Sequence, residues 1–340
     1  MRIALDTMGG DHGPKITVHG AYRYLQSKPG ATIVLLGDRE QIQYQLNMIP
    51  EKYHASLPIV HAPEIISMSE SPLEAIRKKK KSSMVVGLDM HKKGEVDAFV
   101  SAGNTGAQMA GSLLQLGRIS KVKRPAIGAF LPSERGMVYI IDVGANVDSR
   151  PAHLLQFAMM AEVFVAKVFS GKNLRIGLLS NGEEAAKGND LTVSAHKLLK
   201  ENIPGFIGNI EGGDIFKGKT DIIVCDGFTG NVLLKMAESV MGVILNGVRK
   251  NIGKNLMRNV GALLVQPAFK ALKQSFNYEE YGGVPLLGVN GISVICHGKS
   301  SSTAIKNALR VAKSMREKDV NNLIKEKLTL DKGKSNAQAG

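Results

Sequence analysis

Six short stretches set Gly beside Asn, Asp, Ser or Thr directly after an apolar run, the residue types that bind anions and polarise carbonyls. They are Asp6-Thr7-Met8-Gly9-Gly10-Asp11, Ser101-Ala102-Gly103-Asn104-Thr105-Gly106 and Asp142-Val143-Gly144-Ala145-Asn146. The others are Ser180-Asn181-Gly182-Glu183-Glu184 with Lys187-Gly188 following, Asp226-Gly227-Phe228-Thr229-Gly230-Asn231, and His297-Gly298-Lys299-Ser300. Glycine lets backbone N–H groups approach a ligand closely, and a following helix N-terminus favours negative charge. Any one loop is explained by helix capping and chain reversal. Six of them at the carboxyl edge of one sheet point to a site.

Other chemistries lack their signatures. No G-x-G-x-x-G follows the first strand, so a dinucleotide site is disfavoured. Gly298-Lys299-Ser300 resembles the end of a P-loop, but Ser293 stands where its first glycine belongs. No G-x-S-x-G elbow occurs, and the histidines form no H-x-x-x-H or H-E-x-x-H pair. Asp6, Asp11, Asp142 and Asp226 are read as fixing loops rather than holding Mg²⁺. Cys225 and Cys296 are read as small buried apolar residues; His297, adjacent to Cys296 on a strand, points to the opposite face. No cofactor and no metal are expected.

The elements that would position these loops alternate. Strands are expected at Arg2–Asp6, Ala31–Gly37, Pro58–His61, Val96–Ser101, Ala126–Leu131, Val138–Val143, Arg175–Ser180, Ile222–Cys225 and Ser293–Cys296. Continuous apolar runs such as Thr32–Leu36 suit strands covered on both faces. Helical stretches include Ser71–Gly94, Pro151–Phe169, Asp190–Lys200 and Ser301–Lys327. The pattern predicts a mainly parallel, three-layer αβα fold over residues 1–330 as one domain, with a flexible tail over 331–340. Residues 230–276 break the rhythm as a protruding helical pair.

The net charge of +14 suits an anionic partner. With no Trp and only 5% aromatic residues, nucleic acid is disfavoured. An acid at position 6 argues against a signal peptide, and no run of about 18 apolar residues occurs, so a cytoplasmic protein is expected.

Taken in order, Ile3–Asp11, Ser101–Ala107, Asp142–Asn146, Asp226–Asn231 and the stretch from Tyr281-Gly282-Gly283 through His297-Gly298 resemble the acyl-[acyl-carrier-protein]:phosphate acyltransferases of bacterial phospholipid synthesis. The resemblance runs over most of the chain, to Ala304. It implies transfer of a fatty acyl group from acyl carrier protein to inorganic phosphate, for a downstream glycerol-3-phosphate acyltransferase. It also implies a homodimer and a fold similar to phosphotransacetylase and the isopropylmalate dehydrogenases. Direct attack by phosphate needs no covalent enzyme intermediate.

On that reading Asn104, Lys187, Asn231 and His297 are the catalytic candidates. Asp6, Gly103, Thr105, Gly106, Asp142, Asn146, Asn181, Asp226 and Ser300 are candidates for holding phosphate or thioester. Asn146, Asn181 or Asn231 would donate to the carbonyl oxygen as it gains charge, and His297 or Lys187 would protonate the thiolate. In the helical pair, Val243, Leu245, Arg249, Lys254, Leu263 and Leu264 form either a contact with an anionic membrane surface or a dimer interface with a basic rim. The run Arg77–Lys81 is a solvated helix face or a steering surface for the acidic carrier protein. Three rivals remain: a phosphotransacetylase using coenzyme A thioesters, a non-catalytic anion-binding scaffold at the membrane, and a nicotinamide-dependent dehydrogenase without its cofactor loop.

Overall fold

The apolar runs become strands whose alternate residues enter cores on opposite faces of the sheet. Ile3, Leu5, Ile33 and Leu35 join one cluster, whereas Ala4, Val34 and Leu36 join another. Both faces are therefore covered by helices, which is why these strands show no polar alternation. The computed structural model describes residues 1–252 and 282–337. In chain order its elements are β1 (Arg2–Asp6), α1 (Pro14–Ser27), β2 (Thr32–Gly37), α2 (Arg39–Leu46), β3 (Ile59–His61), α3 (Pro72–Lys78), α4 (Ser83–Lys92), β4 (Ala98–Ser101) and α5 (Thr105–Gln115). There follow β5 (Ala126–Ser133), β6 (Gly136–Ile141), α6 (Pro151–Val168), β7 (Ile176–Leu179), α7 (Asp190–Asn202), β8 (Phe206–Ile210), α8 (Gly212–Lys217), β9 (Ile222–Val224) and α9 (Gly227–Ile252). Beyond residue 281 come β10 (Val284–Leu287), β11 (Ser293–Ile295), α10 (Ser302–Glu317) and α11 (Val320–Ala337).

The described strands lie in one sheet, ordered β3-β2-β1-β4-β11-β10-β5-β6-β9-β7-β8. The run β3 to β11 is parallel, as is the run β6 to β8, but β10 and β5 pair antiparallel with every neighbour. The second run therefore points opposite to the first. This corrects the single-edge expectation: the loops after β1, β4 and β11 leave one edge, and those after β6, β7 and β9 leave the other.

Three further differences are local. The stretch 301–327 is two helices, broken at Asp319, which takes a left-handed φ of 50°. Its carboxylate accepts from Asn322 Nδ2 at 2.9 Å, restarting the chain as α11, which continues to Ala337 within the expected tail. The stretch 71–94 is also two helices, because Ser82 caps α4 by accepting from Val85 N at 3.3 Å. Of the expected helical pair, Lys254, Leu263 and Leu264 lie outside the described residues, as do the side chains of Leu245 and Arg249. Among the described residues no helix is long and apolar enough to cross a membrane.

His91 ties α4 to the sheet. Its Nε2 accepts from Ile292 N at 2.8 Å, so the ring proton sits on Nδ1, 3.0 Å from the Val96 carbonyl. A second ring proton would oppose the Ile292 N–H. Burial, above all, holds the His91 pKa below its ordinary 6.5. The unfolded chain then binds more protons than the folded one as pH falls below about 6.5, so stability drops in that window. A His91→Gln variant is expected to lose less urea resistance than wild type between pH 7.5 and pH 5.5. Equal losses would remove His91 from the account.

Candidate functional site

The first edge is organised by Asp6, buried at the end of β1. Its Oδ1 accepts from Met8 N at 3.0 Å and Gly9 N at 3.1 Å, and its Oδ2 accepts from Ser101 Oγ at 2.7 Å. Ser101 Oγ in turn accepts from Gly103 N at 2.9 Å. A Cβ on Gly9 would stand 2.6 Å from Gly103 N, so only glycine allows the two loops to meet. Asp11 N donates to the Gly298 carbonyl at 2.8 Å and brings in the loop after β11.

Asn104 is buried between structural partners. Its Oδ1 caps α5 by accepting from Ala107 N at 3.0 Å, and its Nδ2 faces the carbonyls of Ser67, Met68 and Glu70 at 3.2–3.3 Å. The amide clamps the 67–70 loop over the start of α5, where Thr105 is exposed and Gly106 is half-buried. His297 is exposed; its Nδ1 accepts from Lys299 N at 3.1 Å, leaving Nε2 as the protonated nitrogen of the neutral ring. Ser300 is buried and borders a cavity of about 10 Å³ beside Gly9, Gly13 and Ala102, room for one water.

The second edge repeats the device. Asp142, wholly buried after β6, accepts from Ile127 N and Ala145 N at 3.1 Å through Oδ1. Its Oδ2 accepts from Asn146 N at 2.7 Å and Asn146 Nδ2 at 2.9 Å. Burial pushes this carboxyl above the ordinary carboxylate range, against the pull of those donors. Asn146 Nδ2 also donates to the Pro125 carbonyl at 2.8 Å, so its amide is engaged by the fold. A Cβ on Gly227 would stand 2.6 Å from Asn146 O and 2.8 Å from Asp142 Oδ2, the counterpart of the Gly9 contact. Asp226 caps α9, accepting from Thr229 N at 2.9 Å and Thr229 Oγ1 at 2.7 Å.

At the second edge three expected residues keep unengaged polar groups among the described residues. Asn231, exposed on the first turn of α9, lies over Gly144 and makes no side-chain hydrogen bond among the described residues. Asn181 and Lys187 are exposed, and Lys187 Nζ has no carboxylate partner among the described residues. The backbone under Lys187 is nevertheless fixed. The Glu184 carbonyl accepts from Lys187 N at 3.0 Å and from Asn209 Nδ2 at 2.8 Å, and Asn209 Oδ1 meets His196 Nδ1 at 2.8 Å. Asn209 and His196 are both buried. Sequence reading missed this pair because Asn209 lies on β8, a strand hidden by Gly208 at its centre.

Cys225 and Cys296 are free and buried. Burial pushes the Cys296 thiol up to about 12 and the Cys225 thiol well above its usual value, so neither is a thiolate near neutral pH.

The chain matches the family described as "Fatty acid synthesis protein" over residues 1–323. It is 48% identical over 333 residues to the phosphate acyltransferase of Desulforamulus reducens, covering 98% of this chain and 99% of that one. It is 47% identical over 313 residues to the phosphate acyltransferase of Pelotomaculum thermopropionicum, covering 92% and 91%. Among solved structures, a phosphotransacetylase from Streptococcus pyogenes superposes with a TM-score of 0.61 at 18% identity, covering 93% of this chain and 94% of that one. At that identity the likeness is one of fold.

Proposed function

The chain belongs to the fatty acid synthesis protein family, and from that membership we propose that it moves a long-chain acyl group from acyl carrier protein to inorganic phosphate. The observation that carries the reading is near-full-length identity of 48% to a phosphate acyltransferase. In the reaction a phosphate oxygen attacks the thioester carbonyl carbon. A C–O bond forms, the C–S bond breaks, and the proton of HPO₄²⁻ ends on the departing thiol. Acyl phosphate is then available for phospholipid synthesis. The buried, protonated cysteines favour direct attack over an acyl-enzyme.

Unengaged groups suit the remaining roles. Lys187 would hold phosphate, and Asn231 or Asn181 would donate to the carbonyl oxygen as charge develops there. Asp6, Asp142, Asp226, Asn104 and Asn146 act one step back, fixing the loops. The first-edge groups His297, Ser300 and the N-terminus of α5 contribute if the edges face one another. Val143 and Ala145, beside the second-edge hub, pack against the same apolar cluster as Met109 and Leu113 of α5, which links the second-edge loop to the first-edge helix.

The exposed stripe Phe228, Val232, Met236, Val240 and Val243 follows helical spacing along α9. It supports a homodimer contact that continues toward an anionic membrane surface, for a cytoplasmic protein peripherally associated with the bilayer.

The test is acyl phosphate formation from long-chain acyl carrier protein and phosphate, beside acyl coenzyme A, with no nucleotide or metal added. Phosphate-dependent release of free carrier protein is the expected result. Turnover of the coenzyme A thioester alone would make the chain a phosphotransacetylase, and turnover of neither would sink the enzyme reading.

A further inference from the structure

Two of the five cations in Arg77–Lys81 are neutralised by carboxylates within the chain. Lys78 pairs with Glu74, Lys79 pairs with Glu70 at 2.8 Å and reaches the Ile65 carbonyl at 2.6 Å, and Lys80 lies 3.4 Å from the Ile76 carbonyl. A second set of cations is not neutralised in this way. Arg118, Lys121, Lys123 and Arg124, between α5 and β5, and Arg150, before α6, are all exposed. None has a carboxylate within ion-pair distance among the described residues.

These charges stand on a fixed frame. Gln156 of α6 accepts from Lys123 N at 2.8 Å and donates to the Lys121 carbonyl at 2.9 Å. Ile119 N donates to the Gly288 carbonyl at 2.9 Å, and the Arg118 guanidinium donates to the Lys123 carbonyl. His153, one turn into α6, senses the field. Burial first, then the charges of Arg124, Lys123 and Arg150, hold its pKa below the ordinary value, with no opposing carboxylate. The frame also borders the second-edge hub, because Asn146 donates to the carbonyl of Pro125, next to Arg124.

We propose that this frame is the landing surface for an acidic protein, the carrier that presents the thioester to the second edge. The proposal rests on the carrier-protein reading above. A small anion is a poorer fit, since the cations are all exposed rather than gathered in a closed pocket. Nucleic acid is also a poorer fit, since among the described residues 118–124 and 150 supply no aromatic ring for bases to stack on. A rigid display of like charge suits diffusional steering of an oppositely charged surface, because little side-chain and loop order remains to be imposed on binding.

The experiment uses the full chain carrying Lys123→Glu, Arg124→Glu and Arg150→Glu together, with Lys80→Glu and Lys81→Glu as the comparison. KM and kcat are measured for acyl carrier protein, for phosphate, and for an uncharged S-acyl pantetheine. The triple variant is expected to raise KM for acyl carrier protein by about tenfold or more and to flatten its salt dependence. KM for phosphate and turnover of the pantetheine thioester should stay at wild-type values. An unchanged KM for the carrier substrate, an equal loss on both thioesters, or a larger effect from the Lys80 and Lys81 changes would overturn the proposal. Should the triple variant fail to fold, Lys123→Gln with Arg150→Gln carries the same comparison. Wild-type turnover of the pantetheine thioester without turnover or binding of the carrier substrate would instead remove the carrier reading itself.

Discussion

Replacing Lys187 by alanine is expected to lower phosphate-dependent turnover by about 10²–10³ while leaving the urea midpoint unchanged. The stability half follows from exposure: the ammonium touches no carboxylate among the described residues, and removing a solvated cation at the surface leaves nothing buried unpaired. The activity half follows from what the fold does beneath it. A surface lysine with no role needs no support, yet the turn bearing Lys187 is pinned through the Glu184 carbonyl by buried Asn209, itself oriented by His196. Neighbouring Glu183 is paired with Lys219 and does not compete for the ammonium. Phosphate carries about two negative charges near neutral pH, and a fixed cation beside it both raises its occupancy and aims its oxygen. Asn209→Ala should therefore reproduce part of the defect, mainly in KM for phosphate, without removing any group that touches it. Lys187→Ala with turnover within threefold of wild type would move phosphate to the first edge, beside Ser300 and His297.

The distinction between engaged and unengaged groups could not be read from sequence. The loops themselves were legible, because each follows an apolar strand such as Ile222–Val224 and carries Gly with Asn, Asp or Ser. Asn104 looked like a ligand because it sits between two glycines at a helix start. Its amide instead meets carbonyls of residues 67–70, a contact more than thirty residues distant that no local pattern reveals. Sheet direction was hidden for a related reason. The reversal depends on β10, a strand of four residues containing Pro285, and proline removes the donor that marks a central strand. Missing β10 left a run that read as parallel throughout, and so placed six loops on one edge instead of three on each. The covered, apolar strands were legible because burial on both faces forces a continuous run, whatever the direction of the neighbour.

Asp142→Ala should be strongly destabilising, on the order of 3 kcal/mol or more, although Asp142 need touch no substrate. Three backbone N–H groups and the Asn146 amide all donate to this one buried carboxylate. Alanine leaves them without an acceptor where water has no access, at about 1–3 kcal/mol for each unsatisfied group, less the relief of no longer burying a charge. That relief is real, since burial already pushes this carboxyl above its ordinary range. Asp142→Asn separates the two contributions. It removes the charge and keeps one acceptor oxygen, but turns an amide N–H₂ toward the donors on Asn146. If donor satisfaction dominates, both variants unfold at lower urea and lose activity, because Gly227 and the start of α9 are packed against the same carboxylate. If charge burial dominates, the asparagine variant matches or exceeds wild-type stability. Asn231→Ala is the control for site against scaffold: exposed and with no side-chain hydrogen bond among the described residues, it should keep the urea midpoint and lose turnover alone.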